Sequence, residues 1–157
     1  MLDKQNQSLL RNPIHAWSVG FGLGLLPWAP GTWGTLLAIP IFYFTHSWHP
    51  YLQWFVWLLT VFFSCYSATK TRAFLGYKDP SCIVCDEVVG CWLALLVVSW
   101  QTSWLIFTFI LFRAFDILKP WPICFFDSKD SGTAIVIDDL VAGLYTLIIL
   151  SISDFLT

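Results

Sequence analysis

The chain alternates between long charge-free apolar runs and short polar stretches. No Asp, Glu, Lys or Arg occurs between Arg11 and Lys70, and none between Glu87 and Arg113. Residues 1–12 read as a polar, mobile N-terminal tail. Pro13 to Phe21 predicts a short interfacial helix, with Pro13 at its first position and Trp17 at headgroup depth. Residues 22–35, GLGLLPWAPGTWGT, are rich in glycine and proline and read as a loop. It is flanked by apolar sequence, so it must be buried in protein or line a wet cavity. Leu36 to Thr45 is short and contains Pro40, and HSWHP (46–50) reads as a turn. Tyr51 to Thr69 is the best candidate for a spanning helix. Lys70 to Glu87 is polar. Val88 to Phe112 is either one helix of about 37 Å or a hairpin broken near residues 99–103. Trp100 and Trp104 bracket polar residues there, as at a membrane interface, which favours the hairpin. Ile135 to Ile152 is the last helix. Together these predict one all-α domain over 1–157, a membrane-embedded bundle of about five to six helices with a glycine/proline-rich loop.

Composition agrees. Of 157 residues, 57% are hydrophobic, 18% aromatic and 11% charged, and the mean hydropathy is +0.70. That balance fits an integral membrane protein. A net charge of -2 gives no case for nucleic acid. Five cysteines, an odd number among apolar neighbours, do not suggest a disulfide framework. The N-terminal residues show no cleavable signal-peptide pattern. With the hairpin, every Lys and Arg falls on one side of the membrane, which the positive-inside rule makes cytoplasmic.

The charges concentrate in residues 112–143, FRAFDILKPWPICFFDSKDSGTAIVIDDLVAG. Charge is costly near lipid, so this cluster is a candidate site. The hairpin brings Asp86 and Glu87 to the same side as Asp116, Asp127, Asp130, Asp138 and Asp139. Adjacent acids repel unless a cation neutralises them, and hard oxygen ligands suit Mg²⁺. Acid pairs favoured by helix N-termini are the other reading. Arg113, Asp116 and Lys119 recur every third residue and share one flank of a helix, as a phosphate-binding set or an ion-paired helix end. The APGTWGT loop (29–35) offers amides, hydroxyls and close approach to an anion, or is a plain turn. Cys82 and Cys85 form a single CxxC, short of a zinc site, and read as small apolar residues. His15, His46 and His49 are scattered. An intramembrane cation path, as in a small ion or solute transporter, is the alternative, but it would spread acids through the membrane's depth.

Four segments in order, residues 20–35, DEVVG (86–90), FRAFDILKPWPICFFD (112–127) and IDDLVAG (137–143), resemble the phosphatidylglycerophosphatase A family of membrane lipid phosphatases. The resemblance implies an all-α bundle in the bacterial inner membrane, a site facing the cytoplasm, and Mg²⁺-dependent hydrolysis of phosphatidylglycerophosphate to phosphatidylglycerol and phosphate. By motif position it implies that Asp86, Glu87, Asp138 and Asp139 are metal-binding or water-activating acids. Arg113, Asp116 and Lys119 fall on the FRxxDxxKPxP motif. Arg113 and Lys119 would stabilise charge on the phosphoryl group, while Gly31, Thr32 and Thr35 would orient it. Cys124 departs from the Arg that often follows PxPI, and DSGTA (130–134) is less glycine-rich than usual.

Overall fold

The helix that carries the bundle is inverted relative to a helix of a soluble protein. Its face of small and polar residues, Ser64, Ser67, Ala68 and Thr71, is buried, while Leu58, Leu59, Phe62, Phe63 and Tyr66 point outward, Phe62 at 63% exposure. In water this arrangement would leave the hydrophobic effect unused. Against lipid it is the expected one, because small and polar residues mediate helix contact where the surroundings are already apolar. The computed structural model of the chain describes residues 4–76, 80–121, 123 and 131–156, with the side chains of 4, 5 and 154–156 excepted.

Among the described residues all regular structure is helical. The helices are α1 (Lys4–Arg11), α2 (Pro13–Ser18), a 3₁₀ segment (Gly20–Leu25), α3 (Pro30–Thr45), α4 (Pro50–Leu75), α5 (Cys85–Leu95), α6 (Thr102–Leu118) and α7 (Gly132–Leu156). Five are substantial, α3 to α7, in line with the expected bundle. Two, α4 and α7, are long and apolar enough to cross a membrane, which points to membrane association.

Several expectations are corrected. The polar tail instead forms α1 from Lys4 onward, because Leu9 gives it a side chain to bury. The loop expected over 22–35 is largely helical. Residues 20–25 turn in 3₁₀ geometry, and α3 begins at Pro30, with proline at its first position, where no N–H is needed. Pro40 sits inside α3 without ending it. Residues 88–112 do break: α5 ends at Leu95 and α6 starts at Thr102.

The short helix α5 sits at the centre. All its side chains except Glu87 are buried, and α3, α4, α6 and α7 pack around it. A helix apolar on every side must be enclosed in this way. The core joins Phe42, Trp92, Leu95, Phe112 and Ile123. Polar groups tie the layers together. Trp57 Nε1 donates to the Val89 carbonyl at 3.0 Å, fixing α4 on α5. Trp17 Nε1 donates to Ser64 Oγ at 2.9 Å, and Ser67 Oγ donates to the Ile14 carbonyl. His15 Nδ1 lies 2.8 Å from Thr71 Oγ1. The buried hydroxyl stripe of α4 thus holds α2 by side-chain hydrogen bonds.

Candidate active site

Residue 84 sets the position of the central acids. The Val84 N–H donates to the Ser18 carbonyl at 2.9 Å, which anchors the start of α5 beneath α2. Asp86 and Glu87 then fall in the first turn of α5, where the helix dipole favours negative charge. Asp139 comes from α7. The crossing of α5 and α7 depends on two glycines, each one helical turn past an acid. A Cβ on Gly90 would sit 2.6 Å from the Asp139 carbonyl oxygen, and one on Gly143 would overlap the Gly90 carbonyl. Only hydrogen fits at both places, and the resulting backbone approach brings Asp139 against the α5 acids.

Asp86, Glu87 and Asp139 each offer an oxygen within 4.8 Å of the others. Asp86 Oδ1, Glu87 Oε2 and Asp139 Oδ2 are buried and have no hydrogen-bond partner among the described residues. Buried polar atoms are nearly always paired, so a cluster in which each of three carboxylates leaves an oxygen unsatisfied calls for a ligand. Burial, followed by the charge of Glu87, pushes the Asp86 carboxyl well above its ordinary range, and burial raises that of Glu87. Such a group of carboxylates is stable in ionised form when a cation neutralises it. The donor set, all carboxylate oxygens, fits a hard divalent cation such as Mg²⁺.

Cations approach from α6. Arg113 Nη1 pairs with Asp116 Oδ2, both side chains being partly buried. Asp116 also interacts with Glu87 and Asp139. Lys119 caps α6 in a left-handed conformation, φ 41°, which commonly belongs to glycine. Its Nζ lies 2.8 Å from Asp138 Oδ2. The adjacent acids of α7 therefore divide: Asp139 joins the acid trio, while Asp138 holds Lys119. The Tyr145 hydroxyl donates to the Trp121 carbonyl at 3.1 Å and fixes the turn that follows.

The N-terminus of α3 closes the site. A Cβ on Gly31 would overlap Glu87 Oε1 and come within 3.0 Å of Arg113 Nη1, so Gly31 stands between the acid and the guanidinium. Of the loop donors expected here, most are engaged. The Thr32 and Trp33 amides donate to the Ala29 carbonyl at 2.9 and 3.4 Å. Thr35 is buried, and its hydroxyl donates to the Gly31 carbonyl at 2.8 Å. Gly31 is thus at the site, Thr32 is one position removed and partly buried, and Thr35 supports the helix turn.

The structure brings together Gly31, Asp86, Glu87, Arg113, Asp116 and Asp139, with the Lys119–Asp138 pair beside them. Cys85 is buried with its Sγ 4.0 Å from Ser18 Oγ, and burial pushes its thiol up to about 12. It stays protonated, as a small apolar residue would require. Asp127, Asp130 and Cys124 lie outside the described residues. The part that Gly90 and Gly143 play in building the site is not apparent from sequence. Its one signal is that each lies four residues after an acid.

The family signature of Phosphatidylglycerophosphatase A matches residues 16–154. A Phosphatidylglycerophosphatase A from Haemophilus influenzae is 42% identical over 145 residues, covering 89% of this chain and 88% of its own length. One from Escherichia coli is 39% identical over 143 residues, 86% of this chain and 80% of its own length. A Putative phosphatidylinositol-3-phosphatase from Bacteroides thetaiotaomicron is 37% identical over 142 residues, 85% of this chain and 89% of its own length. No solved structure matches the chain. A bundle with four carboxylates and one guanidinium gathered at converging helix ends is thus matched, over nearly its whole length, by phosphatases of one kind, and the chain belongs to the phosphatidylglycerophosphatase A family of phosphomonoesterases.

Proposed function

We propose that the chain hydrolyses the terminal phosphomonoester of phosphatidylglycerophosphate, giving phosphatidylglycerol and phosphate, with a divalent cation, Mg²⁺, held by Asp86, Glu87 and Asp139. The observation that carries this reading is the acid trio, three carboxylates within 4.8 Å whose buried oxygens lack partners, standing beside Arg113 and Gly31. A cation held by these three acids would neutralise charge on the phosphoryl oxygens and lower the pKa of a water bound to it. The Arg113 guanidinium offers two parallel donors to the phosphoryl oxygens. Asp116 keeps that fork oriented. Gly31 lets Glu87 and Arg113 pack directly against the start of α3, since any side chain there would collide with both. Lys119, steadied by Asp138, adds positive charge against the developing negative charge. In this reading Asp138, which the resemblance places among the metal-binding acids, orients Lys119. The acyl chains stay among lipid.

The location proposed is the bacterial inner membrane, with several spans and the site facing the cytoplasm. The one-sided distribution of Lys and Arg supports this. A transporter reading is disfavoured by the gathering of the acids at one place rather than along a path.

The test is release of inorganic phosphate from phosphatidylglycerophosphate in detergent, with EDTA and with Mg²⁺ restored. Activity that survives EDTA, or an Asp139→Asn variant as active as the parent, would sink the assignment. Phosphatidylinositol 3-phosphate belongs in the same assay because of the Bacteroides thetaiotaomicron relative.

A further inference from the structure

We propose that Trp28, Trp33 and Trp121 form a docking surface around the mouth of the site for the anionic headgroup layer of the bilayer, so that the site opens sideways into that layer. The inference rests on the reading of the site as phosphate-binding. Trp28 and Trp121 are the most outward tryptophans, 81% and 80% exposed. Their places in the chain matter more than their exposure. Trp28 lies two residues before Pro30, on the approach to Gly31, and Trp121 two residues after Lys119. One indole thus flanks each of the segments that meet at the phosphate position. Trp33 joins them, since its Nε1 donates to the Trp28 carbonyl at 3.1 Å and holds its half-exposed ring against the same loop.

The apolar surface does not stop at this rim. On α3 it continues to Leu36, and on α6 it includes Ile117 and Leu118, all exposed. These are the helices that supply Gly31 and Arg113. Exposed apolar residues thus extend from both rim segments onto α3 and α6, as they do on α4. Indole rings, apolar in body and polar at one edge, suit the boundary between chains and headgroups. The charge also matches. A Cβ on Gly132 would sit 2.6 Å from Thr69 Oγ1, so the start of α7 lies against the last turns of α4, which carry Lys70 and Arg72. Lys70 is exposed there, and an exposed basic group attracts anionic lipid. A substrate whose phosphate lies in the headgroup layer would reach Arg113 by lateral diffusion, without being drawn into water.

The test uses the full chain in vesicles of phosphatidylcholine and phosphatidylglycerol. The emission lost in a Trp28→Phe/Trp121→Phe variant reports these two indoles. It should be quenched by lipids brominated near the carbonyl end of the chain and little by aqueous acrylamide. In mixed micelles, Trp28→Ala/Trp121→Ala should raise the KM for phosphatidylglycerophosphate, expressed as surface mole fraction, roughly five- to tenfold, with kcat retained. Quenching by acrylamide but not by bromolipid would overturn the proposal. So would a fall in kcat at unchanged KM, which would place the indoles in the chemistry. If the parent protein releases no phosphate while bromolipid still quenches, the functional reading fails and the docking surface stands.

Discussion

Replacing Gly90 with alanine tests whether the backbone crossing of α5 and α7 sets the acid trio. The added methyl would lie 2.6 Å from the Asp139 carbonyl oxygen and 2.9 Å from Phe112 Cε2, where ordinary contact starts at 3.4 Å. Phe112 is fully buried and belongs to the central cluster, so it has nowhere to swing. The helices must separate by most of an ångström. Overpacking of this kind costs about 1–3 kcal/mol. The separation acts directly on Asp139, whose carbonyl is the clashing atom and whose carboxylate must stay near Asp86 and Glu87. A displacement of about 1 Å in a catalytic constellation costs on the order of 100-fold in rate. Gly90→Ala should therefore lose both thermal stability in detergent and kcat, the latter by about two orders of magnitude. Gly76→Ala is the control. Gly76 has φ +73° and nothing within 4 Å of the place an added methyl would take, so its substitution strains only the backbone at the end of α4. It should cost about 1 kcal/mol of stability and leave kcat intact. If Gly90→Ala shows parental kcat, or if the two variants lose activity in proportion to stability alone, the crossing does not set the site.

Other consequences can be measured together. Asp139→Asn should lower phosphate release at least about 100-fold and weaken Mg²⁺ rescue after EDTA, because it removes one of three converging carboxylates. Arg113→Lys keeps the charge but loses the fork, so it should recover only a minor part of the activity lost in Arg113→Ala, in a steady-state assay. For His15, burial lowers the pKa below the ordinary 6.5. The unfolded chain then binds the proton at a higher pH than the folded one, so this contribution to stability is complete above 6.5 and is lost as pH falls below it. Thermal melts of the parent and His15→Gln across pH 5–8 should converge at the acid end, and parallel curves would refute the role.

Much of the bundle is legible in the sequence because charge is so sparse. The charge-free run before Lys70 marks α4, and the polar residues between Trp100 and Trp104 mark the break between α5 and α6. Residues 22–35 mislead because glycine and proline ordinarily break helices. Pro30 is instead a helix start, and Gly31 and Gly34 are small because Glu87 and Val84 press on them. Once α3 begins at Pro30, Thr35 lies one turn past Gly31, and its hydroxyl turns to that carbonyl rather than to an anion. The acids are visible as groups, but their division is not. Neighbours on a helix point about 100° apart, so Asp138 and Asp139 face different partners. Which of them faces α5 is decided by a crossing between segments far apart in sequence.

The polarity of the helix ends explains why the charges could be placed where they are. The N-termini of α5 and α3 both point at the site, and they bring Asp86, Glu87 and the Gly31 approach. The C-terminal end of α6 brings Lys119 as its cap, while Arg113 lies more than one turn before that end, beyond the reach of its dipole. Acids at N-termini and cations at C-termini are each favoured by about 0.3–1 kcal/mol at exposed ends, and by up to ~2 kcal/mol where burial limits screening. Here α5 is enclosed on all sides, so its dipole acts with little water between it and the acids. The same dipoles leave the centre able to receive an anion once a cation is present, since the ends of α3 and α5 both present partial positive charge. The acids of α5 meet Asp139 because Gly90, one turn further on, is where α5 crosses α7. The spacing from Glu87 to Gly90 is therefore a condition of the site: inserting one helical turn between them would carry Asp86 and Glu87 about 5.4 Å along the axis away from Asp139, and phosphate release should be lost while circular dichroism shows the helices retained.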